Sequence, residues 1–493
     1  MTTTSPASSR VIPLSSHRWA ALVVLALAQF LVVLDASIVN IALPSIGAQL
    51  ALDTAQLSWV ITAYVLPFGG LLLLGGRLAD RFGHRRLFLI GVAGFIAASA
   101  AAGLAPDAAV LFGARAVQGA SAALLAPASL AIVTRLFVTG TDRAKALGVW
   151  GAVAGIGSAA GVLLGGVLTA AFGWPAIFLV NVPIGVLVLV LLPRLVRGER
   201  VGGAADAGTT GADTTGGDPA AAPRVRLDLA GAATVTGGLV AIVAGLSAAG
   251  LLGFASPITL ALLALGVAAL VGFVLVERRT ADPLVDLAIF ARSSITAGNI
   301  AMLLVGAATT ATFFALSVFM QDVLGFDALT SGLTQLPLAG TLVVVAGLVP
   351  SLIARVGVRP ALVTALAVLA GGLVWLSAAP SDGTFLVHLL GPSILIGAGL
   401  GGAFVATTDL AVSGSDESDA GLASGLVNTS QQIGGALGLA VLSTIAAAIT
   451  GSALGAGQPQ PEALTAGFSA VFAGAAVASL GAAAVVTLVR SRR

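Results

Sequence analysis

Stretches of roughly twenty or more mostly apolar residues recur along this chain, fourteen in all, and each can cross a hydrocarbon core of ~30 Å as an α-helix rising about 1.5 Å per residue. They are read at residues 19–43, 56–78, 87–105, 109–133, 145–170, 174–193, 228–250, 256–277, 294–321, 331–353, 360–379, 385–411, 421–449 and 465–488. With 58% hydrophobic and 9% charged residues in 493, the composition lies outside the range of water-soluble domains. The predicted fold class is therefore an all-α integral membrane protein of 14 transmembrane helices. The first run follows Arg10 and Arg18 but continues into polar Asp35 and Asn40 instead of a small-residue cleavage site, so it reads as a retained helix and not a signal peptide.

Charge sets the topology. Of 23 Lys and Arg residues, every one except Arg115 falls in a segment on one side of the membrane once the runs are counted off. By the positive-inside rule that side, with both termini, is expected to be cytoplasmic. The loop at 413–419 carries Asp416, Glu417 and Asp419 without a cation, but acidic residues count little in that rule. There is no cysteine, and His17, His84 and His388 lie far apart in sequence, so neither thiol chemistry nor a metal site is expected. The net charge of +2 reflects these loops and not a nucleic-acid surface. An arginine- and alanine-heavy chain with Lys145 as its single lysine hints at a bacterial source, hence a bacterial cytoplasmic membrane.

The expected organisation is a cytoplasmic N-terminus (1–18), a six-helix bundle (19–193), a Gly-, Ala-, Thr- and Asp-rich cytoplasmic linker (194–227), an inserted helix pair (228–277) and a second six-helix bundle (294–488). A weak echo relates the bundles: Asp80-Arg81-Phe82-Gly83-His84-Arg85-Arg86 follows the second span, and Arg355-Val356-Gly357-Val358-Arg359 stands at the equivalent place in the last bundle. Two such halves are what a rocker-type transporter needs.

Polar residues inside the spans are few. Asp35 is the one carboxylate near the centre of any span, and Arg115 in Arg115-Ala116-Val117-Gln118-Gly119 is a guanidinium that must be paired or hydrated. Asp35 lies about 12 Å and Arg115 about 9 Å from the outer ends of their helices, so they can face one cavity. Tyr64 and Asn181 fall at the same level, and a polar tier in the first bundle follows. A change in hydration or in the Asp35–Arg115 distance would switch the protonation of Asp35. The alternative is that Asp35 only bonds helix 1 to its neighbours. In the fifth span, Gly157, Gly161, Gly165 and Gly166 form a ridge on which another helix can pack closely.

These segments resemble the major facilitator superfamily, and in particular its fourteen-helix drug:proton antiporter branch, over nearly the whole chain. Gly76-Arg77-Leu78-Ala79-Asp80-Arg81-Phe82-Gly83-His84-Arg85-Arg86 is similar to motif A, Arg115 to Gly119 to motif B, Gly157 to Gly166 to the antiporter motif C, and Leu34-Asp35-Ala36-Ser37-Ile38-Val39-Asn40-Ile41-Ala42-Leu43-Pro44 to the signature of helix 1. Gly421 to Gly435 resembles helix 13 of these exporters. The resemblance implies the major facilitator fold, a cytoplasmic gate built on Gly76, Asp80, Arg81, Gly83 and Arg85 that latches near Gly421, proton coupling through Asp35 and Arg115, and cavity positions at Tyr64, Gln118, Asn181, Asn428 and Gln432. Val162 stands where the family usually has proline, which puts a kink in the fifth helix in doubt, and Pro175-Ala176 stands where it usually has Arg-Trp.

A P-loop needs Lys followed by Ser or Thr, and Lys145 is followed by Ala146, so ATP hydrolysis by that route is excluded. No residue set for catalysis stands out. The expected activity is export of lipophilic or cationic small molecules by alternating access, with the proton gradient and no cofactor as the energy source. The partners expected are a small-molecule substrate, protons and the lipid bilayer, with the protein working as a monomer. The alternatives are a narrow exporter of one natural product and a non-transporting sensor with the same fold.

Overall fold

The computed structural model describes residues 17–137, 140–196, 228–280, 283–412 and 420–489. The expected N-terminal tail, nearly all of the linker and the acidic loop at 413–419 lie outside them. Among the described residues no strand forms. The membrane-length helices are α1 (Arg18–Leu50), α2 (Gln56–Phe82), α3 (His84–Gly103), α4 (Ala108–Leu136), α5 (Gly140–Phe172), α6 (Pro175–Leu195), α7 (Leu229–Gly250), α8 (Pro257–Arg279), α9 (Ser293–Val323), α10 (Ala328–Val356), α11 (Val358–Ser377), α12 (Phe385–Val412), α13 (Gly421–Gly455) and α14 (Gln460–Leu488).

Local chemistry accounts for where they start and stop. Asp53, Asp107, Asp228 and Asp327 each stand just before a helix and accept a backbone N–H of its first turn, which satisfies a donor the helix itself cannot. Asp327 is thus a cap, and Thr330 hydrogen bonds hold its carboxyl below the usual carboxylate range. Gly83 (φ +92°) and Gly357 (φ +88°) make the sharp turns from α2 to α3 and from α10 to α11, where a side chain would be strained, so the sequence echo is also a backbone echo.

Two helices differ from their expected form. α1 runs on through Pro44 to Leu50 instead of ending near residue 43. Proline has no N–H to offer the carbonyl four residues earlier, which is that of Asn40, and the Ser317 hydroxyl of α9 donates to that oxygen at 2.6 Å. Gln321 Nε2 donates to the next carbonyl, Ile41, at 2.9 Å. α6 is interrupted at Val180, between the short helix Pro175–Leu179 and the helix Asn181–Leu195. α5, where the proline of motif C is replaced by Val162, is continuous.

The helices α1–α6 pack as one bundle and α9–α14 as another, joined along two seams, α2 with α13 and α5 with α10. α7 lies along the first seam: Trp59 Nε1 donates to Ser247 Oγ at 3.1 Å, and Thr444 Oγ1 to the Leu246 carbonyl at 3.1 Å. α8 packs on α7 and turns Leu260, Leu265, Val267 and Val271 outward. Because lipid tails are as apolar as leucine, close backbone approach replaces water-driven burial as the glue. A Cβ at Gly119 would strike the Tyr64 carbonyl, and one at Gly434 the Leu303 carbonyl.

The seams are not uniform along their length. At the cation-free end α1 bonds α9 as above, and Gly166 of α5 sits against the Ala328 carbonyl of α10. Toward the cationic end, the α5–α10 contact reaches Gly155 against Val343, and beyond it Gly148, Gly151 and Gly347 have no neighbour within 4 Å of a Cβ position.

Candidate functional site

Asp35 lies near the middle of α1, fully buried, among four polar side chains from α3, α4 and α6. Arg115 Nη1 donates to its Oδ2. Its Oδ1 accepts from Gln118 Nε2 at 3.0 Å and from Asn181 Nδ2 at 2.9 Å. Ser99 Oγ accepts from Gln118 Nε2 at 2.7 Å and Asn181 Nδ2 at 3.4 Å, tying the amides together beneath the carboxylate.

The guanidinium is held from several sides as well. Arg115 Nε donates to the Val60 carbonyl at 2.9 Å and Nη1 also to Gln118 Oε1 at 3.0 Å. The Tyr64 ring lies over it at 4.3 Å and the Phe178 ring at 5.7 Å, a geometry that stabilises a desolvated cation. A buried ion pair survives in a dry interior only when its other polar groups find partners, and here four helices supply bonds to both carboxylate oxygens and to Arg115 Nε and Nη1. Both oxygens of Asp35 accept hydrogen bonds, three in all, so a proton arriving there would compete with Arg115 and the two amides for the carboxylate.

The tier therefore unites Asp35, Arg115, Gln118, Tyr64 and Asn181. It leaves out Asn428, which is exposed and donates to its own helix at the Ser424 carbonyl at 3.5 Å. Gln432 lies on the α2–α13 seam, where a Cβ at Gly69 would be 2.7 Å from its Cβ. Gly434 and Gly438 of the same helix pack on Leu303 and Ala307 of α9.

The glycines of motif C serve both bundles. Gly157, Gly161 and Gly165 receive Val33, Ser37 and Ile38 of α1, the last two within a turn of Asp35, and Gly166 receives α10. One helix, α1, thus carries the buried acid, the contact with α5, and the Asn40 and Ile41 carbonyls bonded by α9. In the motif A loop, Asp80 Oδ1 meets His84 Nε2 at 3.0 Å, Arg85 Nη2 donates to the Pro193 carbonyl at 3.3 Å, and Arg81 lies 5.4 Å from the Phe82 ring. Arg77 Nη2 donates to the Pro283 carbonyl in the connector between α8 and α9. Gly76 makes only an ordinary contact with Pro127, and Gly421 has no neighbour within 4 Å of a Cβ position.

Ser99 was not singled out by sequence reasoning. Its signal was slight: one hydroxyl among the alanines of Ala97-Ala98-Ser99-Ala100-Ala101. Ser317 and Gln321 were likewise missed, since only the fold sets them against the Asn40 carbonyl freed by Pro44 and its neighbour at Ile41.

A chain of membrane-length helices in two seamed bundles, with a charge pair sealed inside one of them, has the architecture of a membrane carrier. Residues 25–439 match the Major Facilitator Superfamily, and the chain belongs to that family. It is 42% identical over 471 residues to the cephamycin export protein CmcT of Amycolatopsis lactamdurans, covering 95% of this chain and 91% of that one. It is 41% identical over 441 residues to the puromycin resistance protein pur8 of Streptomyces alboniger (89% and 84%), and 33% identical over 435 residues to the multidrug resistance protein Stp of Mycobacterium tuberculosis strain H37Rv (87% and 75%). Among solved structures, a bacterial homologue of the human lysosomal transporter Spinster, inward-facing and unoccupied, superposes with a TM-score of 0.67 at 16% identity, over 96% of this chain and 97% of that one. The protein is a multi-pass membrane transporter of small molecules.

Proposed function

We propose that this protein exports antibiotic-type small molecules from the cytoplasm across the bacterial plasma membrane, as a monomer, in exchange for protons taken up at Asp35. The cationic end of the helices is the cytoplasmic end, with both termini on that side. The observation that carries the reading is the buried Asp35–Arg115 pair with every carboxylate oxygen bonded. Protonating Asp35 neutralises it and frees Arg115, a two-state change in α1, whose next turns reach α5 at Ser37 and α9 at Asn40. That continuity supplies a route from proton binding to the contacts that close the cation-free end. In the arrangement described, α1 is bonded to α9 and α5 packs on α10 at that end, while toward the cationic end Gly148 and Gly151 of α5 and Gly347 of α10 face open space. Closure at the cytoplasmic end is assigned to the motif A loop around Gly76, Asp80, Arg81, Gly83 and Arg85.

A narrow substrate range is the second reading. It is favoured by the relatives at 42% and 41% identity, each named for a single antibiotic, over the multidrug relative at 33%.

The test is proton release from acid-loaded inverted vesicles on adding cephamycin, puromycin or a panel of lipophilic cations, comparing wild type with Asp35→Asn. Release in wild type that is lost in Asp35→Asn is the expected result. Release retained in the variant would reduce Asp35 to a structural role, and a response to one compound alone would decide for the narrow reading.

A further inference from the structure

The cationic ends of α7 and α8 hold two acidic side chains that the tier at Asp35 does not use. Asp228 caps α7, its Oδ1 accepting from the Gly231 N–H at 2.7 Å. Glu277 stands in the last turns of α8, its Oε2 accepting from the Val285 N–H at 3.2 Å. Both are buried, at 5% and 3% exposure. The second oxygen of each, Asp228 Oδ2 and Glu277 Oε1, is also buried and has no hydrogen-bond partner.

Those two oxygens converge on one point. A Cβ on Gly231 would lie 2.5 Å from Asp228 Oδ2 and 2.8 Å from Glu277 Oε1, so the glycine keeps open a slot walled by two acceptors. An ionised carboxylate can only accept, and two of them facing each other away from water repel and lack a donor. Arg77 of α2 acts on Glu277 electrostatically but spends a donor on the Pro283 carbonyl. Arg278 and Arg279 follow Glu277 on its own helix. The surrounding wall is apolar: Leu74, Ala232, Leu284, Val285 and Leu426 cluster there from α2, α7, the connector and α13.

One proton meets the deficit. Bound to either carboxylate it makes a carboxylic acid whose O–H donates to the other carboxylate, turning two orphaned acceptors into one charge-assisted hydrogen bond. We propose that Asp228 and Glu277 form a second proton-binding site, holding a single proton between Oδ2 and Oε1 at the cationic ends of the inserted helices. The protonated pair ties α7 to α8 and, through Val285 and Pro283, holds the connector on Arg77 of motif A. Loss of the proton sets two like charges against each other and loosens that connection. The site goes beyond the proposed transport cycle and does not depend on Asp35.

The test uses full-length Asp35→Asn protein in lipid, so that its outcome is separate from that of the Asp35 reading. Its infrared carboxylic-acid stretch is followed from about pH 9 to about pH 5, in potassium and in sodium buffer. The expected result is a band of about one proton per molecule at neutral pH, equal in both salts, that is lost on adding either Asp228→Asn or Glu277→Gln. Carboxyl-13C labelling of glutamate shifts the band in the protein with the pair intact, a readout that stands even if a substituted protein fails to fold. No band at neutral pH, a band unmoved by the label and present in both variants, or one abolished by sodium at constant pH would each overturn the proposal, the last by assigning the slot to a metal cation.

Discussion

The first and last bundles use the same helical parts, down to the matched glycine turns at Gly83 and Gly357, and differ in what fills their centres. In α1–α6 the centre is a hydrogen-bonded charged unit of Asp35, Arg115, Gln118, Asn181 and Ser99. In α9–α14, among the described residues, no charged side chain is buried. The buried polar groups there are neutral: Asn299 accepts from Ser430 Oγ at 2.8 Å, and Gln335 is buried with neither amide atom partnered. Repeated architecture therefore does not repeat chemistry. Alternating access needs two bodies that move against each other, but a charge that must be desolvated and bonded is expensive, and one copy suffices for the coupling proposed above.

The comparison is broken most severely by Arg115→Ala, which strands a buried carboxylate and should cost about 3–5 kcal/mol of stability. Thermal melts in detergent should show the loss, and the double variant with Asp35→Asn should recover part of it. A wild-type melt for Arg115→Ala would mean that the pair does not hold the bundle together. Gly434→Val tests the last bundle on its own terms: driven into the Leu303 carbonyl, the side chain should cost about 1–3 kcal/mol without altering protons moved per substrate in vesicles.

The amides provide a matched pair. Gln118→Leu removes bonds to Asp35 and Ser99 and should cost about 1.5–3 kcal/mol, whereas Gln335→Leu replaces an unpartnered amide and should be neutral or slightly stabilising; equal losses at the two sites would erase the contrast drawn here. The smallest effect is expected at the link between bundles. Ser317→Ala should cost roughly 1 kcal/mol, and that cost should vanish in a Pro44→Ala background, where the restored N–H of residue 44 satisfies the Asn40 carbonyl within α1. A double-mutant cycle on melting temperature reads this coupling directly.

Several features were legible in the linear order of residues because they depend on length, depth or scarcity. Apolar runs long enough to span a bilayer gave the helices, and the distances of Asp35 and Arg115 along theirs set a common depth for a carboxylate and a guanidinium well inside the spans. Glycines four apart marked the ridge of α5 that receives α1. What the sequence could not decide was azimuth and partner. Position along a helix is a local quantity, whereas the neighbour across the gap depends on how distant segments pack. Only the tertiary structure set α7 on the α2–α13 seam, placed Ser99 under Asp35, and aimed Asn428 away from the tier. It alone turned the carbonyl freed by Pro44 toward Ser317, 277 residues away in the chain, and brought Asp228 and Glu277 to face each other across the bare Cα of Gly231.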